Sequence, residues 1–267
     1  MGPVITLTTD FGLTESYAAA VKGAILSINS QAVIVDITHQ VPPQNIRQAA
    51  FVLSTVYKDF PSQTIHLVIV DPGVGTNRRA IILKTPRYFF VAPDNGVLSY
   101  IIRQSHTDFE AKSGWQAVAI TNSKYWRSPV SSIFHGRDIF APVAAHLSLG
   151  VPVKEFGEVI SSLTVLPFAE PHIAPNGSLI GQVIHIDSFG NLITNIKETD
   201  LPAGEIIIRI GSQIITGLSR AYAEGEKLVA LIGSSGYLEI ALREGNAAVH
   251  LRSGIGTEVI VRTETNP

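Results

Sequence analysis

The sequence predicts an α/β domain followed by an all-β domain. In the first part of the chain, β-rich apolar runs alternate with segments whose apolar residues recur every three or four positions, the spacing of amphipathic helices. In the second part, short apolar runs lie between turn residues and lack helical spacing. The composition changes close to residues 168–176, where proline, asparagine and glycine cluster, so we divide the chain into residues 1–168 and 176–267.

The first domain opens with a strand–helix–strand–helix–strand order, which predicts a mainly parallel sheet with right-handed crossovers. The third of these strands is apolar at nearly every position, as expected when helices cover both faces of a sheet. Two more strands and two more helices follow. The predicted strands span residues 4–8, 33–37, 65–70, 80–83 and 89–92, and the predicted helices span residues 14–29 (capped by Thr14), 46–57, 97–103 and 138–149.

The second domain is predicted to form an antiparallel barrel or sandwich, and its pattern of short strands leaves these two alternatives open. The predicted strands span residues 179–186, 205–210, 228–232, 237–241 and 258–261. Loops of small and polar residues lie between them at 187–195, 233–238 and 245–248, and plain turns are the simplest interpretation of the last two.

Charged residues are scarce. The 20 Lys and Arg with the 22 Asp and Glu make 16% of the chain, against about 25% in a typical soluble domain, so we expect other subunits to cover part of the surface. The net charge of −2 without a basic cluster argues against a nucleic-acid partner. The apolar runs are far shorter than the roughly 20 residues of a membrane helix, so no membrane partner is expected. The absence of cysteine and of a recognisable signal peptide favours a cytoplasmic protein.

Two acidic residues follow predicted parallel strands, at the sheet edge where ligands of open α/β folds bind. Asp10 comes after the first strand and Asp71 after the third. A carboxylate at Asp10 suits the two hydroxyl groups of a ribose; the alternative is a loop aspartate that binds local backbone N–H groups. Asp71 opens the segment Asp-Pro-Gly-Val-Gly-Thr-Asn-Arg-Arg, whose glycines let the backbone approach a ligand but which matches neither a Walker A loop nor a dinucleotide fingerprint.

A cation and a histidine complete the candidates in the first domain. Arg78 or Arg79 can fold back toward Asp71, although a tight turn with a solvated cation is the alternative. His135 precedes the last predicted helix, and the near-neutral pKa of free histidine suits proton transfer, whereas most single histidines are structural or exposed. The Asp and His residues of the chain allow metal binding, but no metal-ligand spacing such as His-Glu-x-x-His occurs. No metal ion is therefore predicted, and a metal-dependent hydrolase is a minor alternative.

In the second domain, the loop at 187–195 carries side chains suited to a flat, polar ligand. Asn191 and Asn195 offer a donor and an acceptor side by side, which matches the edge of a purine, and Phe189 can stack on a ring. Asp187 adds a carboxylate. A polar hairpin turn without a ligand is an equally good interpretation of this loop.

Five short motifs occur in a characteristic order along the chain. They are Thr-Thr-Asp-Phe-Gly at 8–12, the segment at 71–79, Ala-Pro-Asp-Asn-Gly at 92–96, Phe-His-Gly-Arg-Asp at 134–138 and Asp-Ser-Phe-Gly-Asn at 187–191. Together they closely resemble the S-adenosyl-L-methionine (SAM) hydroxide adenosyltransferase family, the hydrolytic relatives of fluorinase and chlorinase, from Thr8 to about Ala248. The resemblance implies an N-terminal α/β domain, a C-terminal β-barrel and a homotrimer with active sites between subunits.

The resemblance also implies roles for residues of the first domain. Asp10 is the residue that would bind the ribose hydroxyls of SAM, and Asp71, Arg78 and His135 would activate water. The implied reaction is hydrolysis of SAM to adenosine and L-methionine, by in-line attack of water or hydroxide on ribose C5′. SAM is then the substrate and no cofactor is needed. Either Asp71 or His135 could take the proton from water.

For the second domain, the resemblance implies contacts to the two ends of SAM. Asp187 would hold the methionine amino group, and Ser234 would contact the methionine carboxylate. Phe189 and Asn191 would contact adenine, and the loop containing Ala248 would contribute backbone contacts to the same ring.

One departure from the halogenating relatives favours hydrolysis. The halogenases have Tyr and Ser in the halide pocket where this chain has Asp71 and Gly136. An ionised carboxylate repels a halide and cannot donate a hydrogen bond to it, but it accepts one from water. A SAM-binding module without significant catalysis and a SAM-dependent halogenase are the alternatives to a hydrolase.

Overall fold

The computed structural model describes residues 2–104, 114–224 and 227–263. The chain divides into two compact units, Met1–Leu166 and Pro167–Pro267. The first is an α/β unit with a mixed sheet and the second is all antiparallel β-structure with one short helix, which confirms the predicted fold class. Within the described ranges, no helix has the length and the apolar composition needed to cross a bilayer.

The first unit is built on a seven-stranded sheet with helices on both faces. The strands are β1 (Val4–Thr9), β2 (Val33–Thr38), β3 (Ile65–Ile69), β4 (Ala80–Lys84), β5 (Phe89–Pro93), β6 (Gln116–Ile120) and β7 (Gly157–Ile160). The helices are α1 (Tyr17–Ile28), α2 (Ile46–Val56), α3 (Ser99–Gln104) and α4 (Ala141–Ser148), and a π-helical turn, Gly136–Phe140, leads directly into α4.

The strand order is β2-β1-β3-β5-β4-β6-β7, and the first four strands in this order are mutually parallel. Strands β4 and β7 run antiparallel to their neighbours, so the sheet is mixed at one side. One apolar cluster packs α1 and α4 against one face, and a second packs α2 and α3 against the other. All five residues of β3 are buried, because this strand is covered on both faces.

Some elements of the first unit differ from the predicted ones. Helix α1 begins at Tyr17 with Ser16 in the cap position and no capping hydrogen bond from a side chain, so the assignment of Thr14 as the cap is wrong. The predicted helix at 138–149 starts as the π-helical turn, and Pro142 lies in the first turn of α4. Strands β6 and β7 were not predicted; β7 is a short edge strand whose two middle residues are exposed.

The second unit is a nearly closed antiparallel barrel, which decides between the two predicted architectures. Its strands are β8 (His172–Ile173), β9 (Leu179–Ile186), β10 (Leu192–Lys197), β11 (Ile206–Ile210), β12 (Gln213–Thr216), β13 (Leu228–Ile232), β14 (Tyr237–Leu242) and β15 (Glu258–Thr263), and its helix is α5 (Ala247–Leu251). The order is β12-β11-β15-β9-β10-β14-β13, with β8 paired to β9. Strand β10 and helix α5 form where loops were predicted.

A histidine lies in the core of the first unit. His66, in β3, has no exposed surface; its Nδ1 atom lies 2.8 Å from Thr6 Oγ1 and its ring stacks on Phe90 with 5.1 Å between centroids. The Nε2 atom has no hydrogen-bond partner within the described residues. Burial lowers the pKa of His66 to about 3, so the ring stays neutral in the folded protein.

This core histidine should make the protein sensitive to acid. Above pH 6.5 both folded and unfolded states hold His66 neutral, but below it only the unfolded state takes up the proton. The free energy of unfolding should therefore fall by about 2 kcal/mol between pH 7.5 and pH 5 on account of this residue. Urea unfolding at both pH values measures the loss. The His66→Asn variant keeps a polar atom near Thr6 but does not titrate. Its free energy of unfolding should therefore fall by about 2 kcal/mol less than that of the wild type between the same two pH values. Equal falls in both proteins would refute the assignment.

Candidate active site

The segment at 71–79 folds back on itself at the carboxyl end of β3. The N–H of Val74 donates to the carbonyl of Asp71 over 3.2 Å, and the N–H and hydroxyl of Thr76 both donate to the carbonyl of Gly73, over 3.1 and 2.7 Å. At Gly75 φ is +77°, and a Cβ atom there would lie 2.5 Å from the carbonyl oxygen of Ser132. The two consecutive turns return the chain toward Asp71, and the second requires glycine.

Arg78 comes back onto Asp71 as a result of these turns. Its Nε atom lies 2.9 Å from both carboxylate oxygens, and Nη2 donates to Oδ2 over 2.5 Å. The two side chains are 11% and 6% exposed, and the guanidinium lies over the ring of Phe140 at 5.1 Å. A charge-assisted pair with several bonds and little solvent is among the stronger polar contacts in proteins.

His135 joins this pair through the same guanidinium. Nη2 of Arg78 lies 2.9 Å from His135 Nδ1. Arginine has only donors, so Nδ1 must accept, and the hydrogen of the neutral ring is on Nε2. Burial lowers the pKa of His135 and the charge of Arg78 lowers it further, against the opposing effect of Asp71 and Asp138. The structure thus brings the three predicted catalytic residues together in the order Asp71, Arg78, His135.

His135 immediately precedes the π-helical turn, and Asp138 anchors this turn to the preceding loop. Asp138 is fully buried; its carboxylate accepts from Arg137 over 2.7 and 2.9 Å and from the N–H of Ser131 over 2.8 Å. Burial opposes the charge of Asp138, but these hydrogen bonds keep its pKa below the usual range. At Gly136, a Cβ atom would contact Ile69 at 3.2 Å, so a larger residue at this position would press on the end of β3.

The motif at 92–96 forms hydrogen bonds to the chain at both ends of the segment at 71–79. Asn95 Nδ2 donates to the carbonyl of Val70, the residue before Asp71, over 2.8 Å. Arg79 pairs with Asp94, with Nε at 2.8 Å from Oδ2, and also donates to the carbonyl of Ser162 over 2.9 Å. The two neighbouring arginines therefore separate: Arg78 binds Asp71 and His135, whereas Arg79 fixes the chain around the strand ends.

Asp10 lies at the same sheet edge as Asp71, because β1 and β3 are adjacent and parallel and Thr9 pairs with Ile69 at their ends. Asp10 Oδ2 accepts from the N–H of Gln44 over 2.8 Å. Gln44 has φ of +65°, an unfavourable conformation for a side-chain-bearing residue, which aims its N–H at the carboxylate. Oδ1 of Asp10 has no protein partner among the described residues, so it can accept from a ligand.

In the second unit, Asp187 shapes the turn between β9 and β10. Its Oδ1 accepts from the N–H groups of Phe189 and Asn191 over 2.9 and 2.8 Å, and its Oδ2 accepts from Asn191 Nδ2 over 2.9 Å. The bonds expected of a polar hairpin turn are thus present. They leave Phe189 74% exposed and Asn191 buried with one amide hydrogen bound to Asp187.

The loop at 245–248 packs closely on this turn. At Gly190 φ is +86° and a Cβ atom would lie 2.1 Å from Asn246 Cγ, so only glycine fits. The N–H of Ala248 donates to the carbonyl of Gly190 over 2.9 Å, and the carbonyl of Ala248 accepts from Ser253. Both backbone groups of Ala248 therefore have protein partners. Ser234, by contrast, is exposed, and its hydroxyl has no partner within the described residues.

One buried acid of the second unit, Glu239, is not among the residues predicted from the sequence. Glu239 lies in β14, and the hydroxyl of Tyr222 donates to its Oε1 over 2.7 Å. The residue was missed because it occupies an apolar strand and belongs to none of the five motifs. A single carboxylate inside the run Tyr-Leu-Glu-Ile-Ala-Leu was the available signal.

Comparisons with known proteins place the chain in a family. The model of the SAM hydroxide adenosyltransferase N-terminal domain matches residues 5–157, and that of the C-terminal domain matches residues 181–260. A protein of Salinispora tropica named (R)-S-adenosyl-L-methionine hydrolase is 36% identical over 92% of both chains. A fluorinase of an Actinoplanes species is 27% identical over 96% of this chain and 97% of its own. A crystal structure of an uncharacterized conserved protein from Thermotoga maritima has a TM-score of 0.86 at 37% identity, covering 97% of this chain and 99% of that one.

The fold and site define a two-unit protein with polar residues gathered at a parallel-sheet edge and on a barrel turn. With both family models matched, the chain belongs to the SAM hydroxide adenosyltransferase family. Its hydrolase relatives, at 33–37% identity, are more similar to it than its fluorinase relatives, at 25–27%.

Proposed function

We propose that this protein hydrolyses SAM to adenosine and L-methionine without a cofactor. The observation that carries the proposal is the hydrogen-bonded chain of Asp71, Arg78 and His135, in a protein whose relatives at 33–37% identity are named (R)-S-adenosyl-L-methionine hydrolases. Asp10 binds the ribose hydroxyls through its unoccupied carboxylate oxygen. The barrel residues Asp187, Ser234, Phe189 and Asn191 hold the methionine and adenine ends of the substrate.

The reaction is an in-line displacement at C5′ of the ribose. The bond between the water oxygen and C5′ forms while the bond between C5′ and sulfur breaks, and its electron pair stays on sulfur. The sulfonium becomes a neutral thioether, so the leaving group needs no acid. The nucleophile is the difficulty, because bulk water has a pKa of about 15.7. Holding water, C5′ and sulfur in line supplies part of the rate.

Asp71 takes the proton from the attacking water. The lone pair of His135 Nδ1 is occupied by Arg78, and Nε2 carries a hydrogen, so the imidazole is a donor. Asp71 retains unoccupied lone pairs after accepting from Arg78. Arg78 and the Nε2–H of His135 stabilise the developing hydroxide in a site with little solvent. The proton then passes to bulk water.

Isotope labelling tests the proposed reaction. The purified protein, with a chelator and SAM in ¹⁸O-water, should produce adenosine labelled at the 5′-hydroxyl and unlabelled L-methionine, as measured by mass spectrometry. The Asp71→Asn variant should turn over about 10²–10⁴-fold more slowly, because it cannot take the proton. Unlabelled adenosine, a 5′-halogenated nucleoside, or intact SAM beside an active control hydrolase would each contradict the proposal.

Two substitutions of His135 distinguish a role as hydrogen-bond donor from a role as general base. His135→Gln places an amide N–H near the position of Nε2–H, so kcat should fall by about tenfold at most. His135→Ala removes the donor altogether and should cost more. Single-turnover rates at pH 8 measure both variants, with the KM for SAM recorded alongside. Equal and large losses in both variants, on the order of 10²–10⁴-fold, would instead identify the imidazole as the base.

We also propose that the protein is a homotrimer with its active sites between subunits. In the first unit, Leu13, Tyr17 and Ile133 are exposed apolar side chains close in sequence to Asp10 and His135, and the chain carries few charges overall. Apolar surface of this kind is typical of protein contacts. Light scattering after size exclusion should give three times 28.7 kDa, about 86 kDa. Ile133→Lys should lower that mass, and a stable wild-type monomer would refute the assembly.

A further inference from the structure

Glu239 is a buried carboxylate whose hydrogen bonding is incomplete. The residue is 7% exposed, and only Oε1 has a partner, the hydroxyl of Tyr222 at 2.7 Å. Oε2 receives no hydrogen bond from any residue of the described ranges. An ionised carboxylate accepts about four hydrogen bonds, and taking one out of water is costly unless a partner compensates. A cationic ligand group would supply that partner.

The sheet places Glu239 on the same face as Asp187. In β10, Ile193 pairs with Glu239 on one side and with His185 on the other. His185 and Asp187 are two positions apart, so their side chains point to the same face. Burial raises the pKa of Glu239, and the negative charge of Asp187 raises it further. Asp187 also raises the pKa of Tyr222, after burial and Glu239 itself. The negative charge of Asp187 thus acts on both members of the Glu239–Tyr222 pair.

The turn that carries Ser234 lies against the unpartnered oxygen. A Cβ atom on Gly233 would lie 2.6 Å from Glu239 Oε2, so the absence of a side chain leaves room for this approach. The N–H of Gly233 donates to the carbonyl of Tyr237 over 2.9 Å, which closes the turn. Ser234, the next residue in this turn, is exposed.

Asp187 alone is poorly suited to hold an ammonium group. Its two oxygens already accept three hydrogen bonds from Phe189 and Asn191 within the turn. Little of its capacity to accept hydrogen bonds therefore remains for a ligand. Glu239 Oε2 has its full capacity available. An ammonium group has three N–H donors, so it can bind both carboxylates at once.

We propose that Glu239 binds the α-ammonium group of the methionine part of SAM, together with Asp187, and selects substrates that carry this amine. The assignment rests on the proposed function. It agrees with the position of Ser234, because the ammonium and the carboxylate of an amino acid are attached to one carbon. Groups that contact the two must then be neighbours, as Glu239 and the turn at Gly233 are. Tyr222 orients Glu239 by holding Oε1.

Comparing two substrates in the Glu239→Gln variant tests this role. For SAM, KM should rise about 10- to 100-fold, the effect of losing a hydrogen bond to a charged group, while kcat stays within about threefold. For the SAM analogue whose α-amino group is replaced by hydrogen, KM should be the same in the variant and the wild type. Glu205→Gln, an exposed acid of the same unit, is the matched control and should change neither KM. An equal rise for both substrates, or a rise for neither, overturns the proposal.

Two further measurements keep the test independent of folding and of catalysis. Tyr222→Phe leaves the carboxylate of Glu239 in place but unoriented. It should therefore raise KM for SAM by a smaller factor and leave KM for the analogue unaffected; equal effects on both substrates count against the role of Glu239.

If the wild type does not hydrolyse SAM, the proposed function fails, and calorimetry with L-methionine decides the binding role instead. L-methionine should then bind the Glu239→Gln variant about 10- to 100-fold more weakly than the wild type, whereas binding of 4-(methylthio)butanoate should not change. Undetectable or equal binding of L-methionine in both proteins would refute the role.

Discussion

The guanidinium of Arg78 lies between the carboxylate of Asp71 and the imidazole of His135, and this contact determines the chemistry available to the first unit. Because arginine has only donors, both neighbours must accept from it, so the histidine turns a lone pair toward Arg78 and carries its hydrogen on the opposite nitrogen. In the proposed reaction, this one hydrogen-bonded chain supplies the proton acceptor, the hydrogen-bond donor and the positive charge.

The rest of the first unit serves to hold that chain in position. Two tight turns return the segment at 71–79 to its starting residue, and Asn95 anchors the carbonyl before Asp71. His135 immediately precedes the π-helical turn, which the buried Asp138 anchors to Ser131, and irregular helical turns of this kind are frequent at functional sites. Gln44, in an unfavourable backbone conformation, directs an N–H at Asp10. Local strain and buried pairs therefore occur where polar side chains must be held in fixed positions.

The two carboxylates of the barrel, Asp187 and Glu239, differ in burial and in hydrogen bonding, and this difference gives them different roles. Asp187 accepts three hydrogen bonds within its own turn, which leaves little of its acceptor capacity for a ligand. Glu239 lies in an apolar strand with one oxygen satisfied and one without a protein partner. The cost of burying such a group is a reason to look for a ligand. It lies outside the five motifs, in a strand whose other residues are apolar.

The sequence by itself determined the alternation of strands and helices in the first unit, the all-β character of the second and the strand-end positions of Asp10 and Asp71, because periodicity and turn residues are local properties. Tertiary structure decided what depends on distant contacts. It selected Arg78 over Arg79, because the turns at 73–76 bring only one of them back to Asp71. It made β10 a strand, since pairing with β9 and β14 outweighs the polar residues Thr194 and Asn195 in its middle. It fixed the hydrogen of His135 and exposed the incomplete bonding of Glu239, because both follow from partners far away in the sequence.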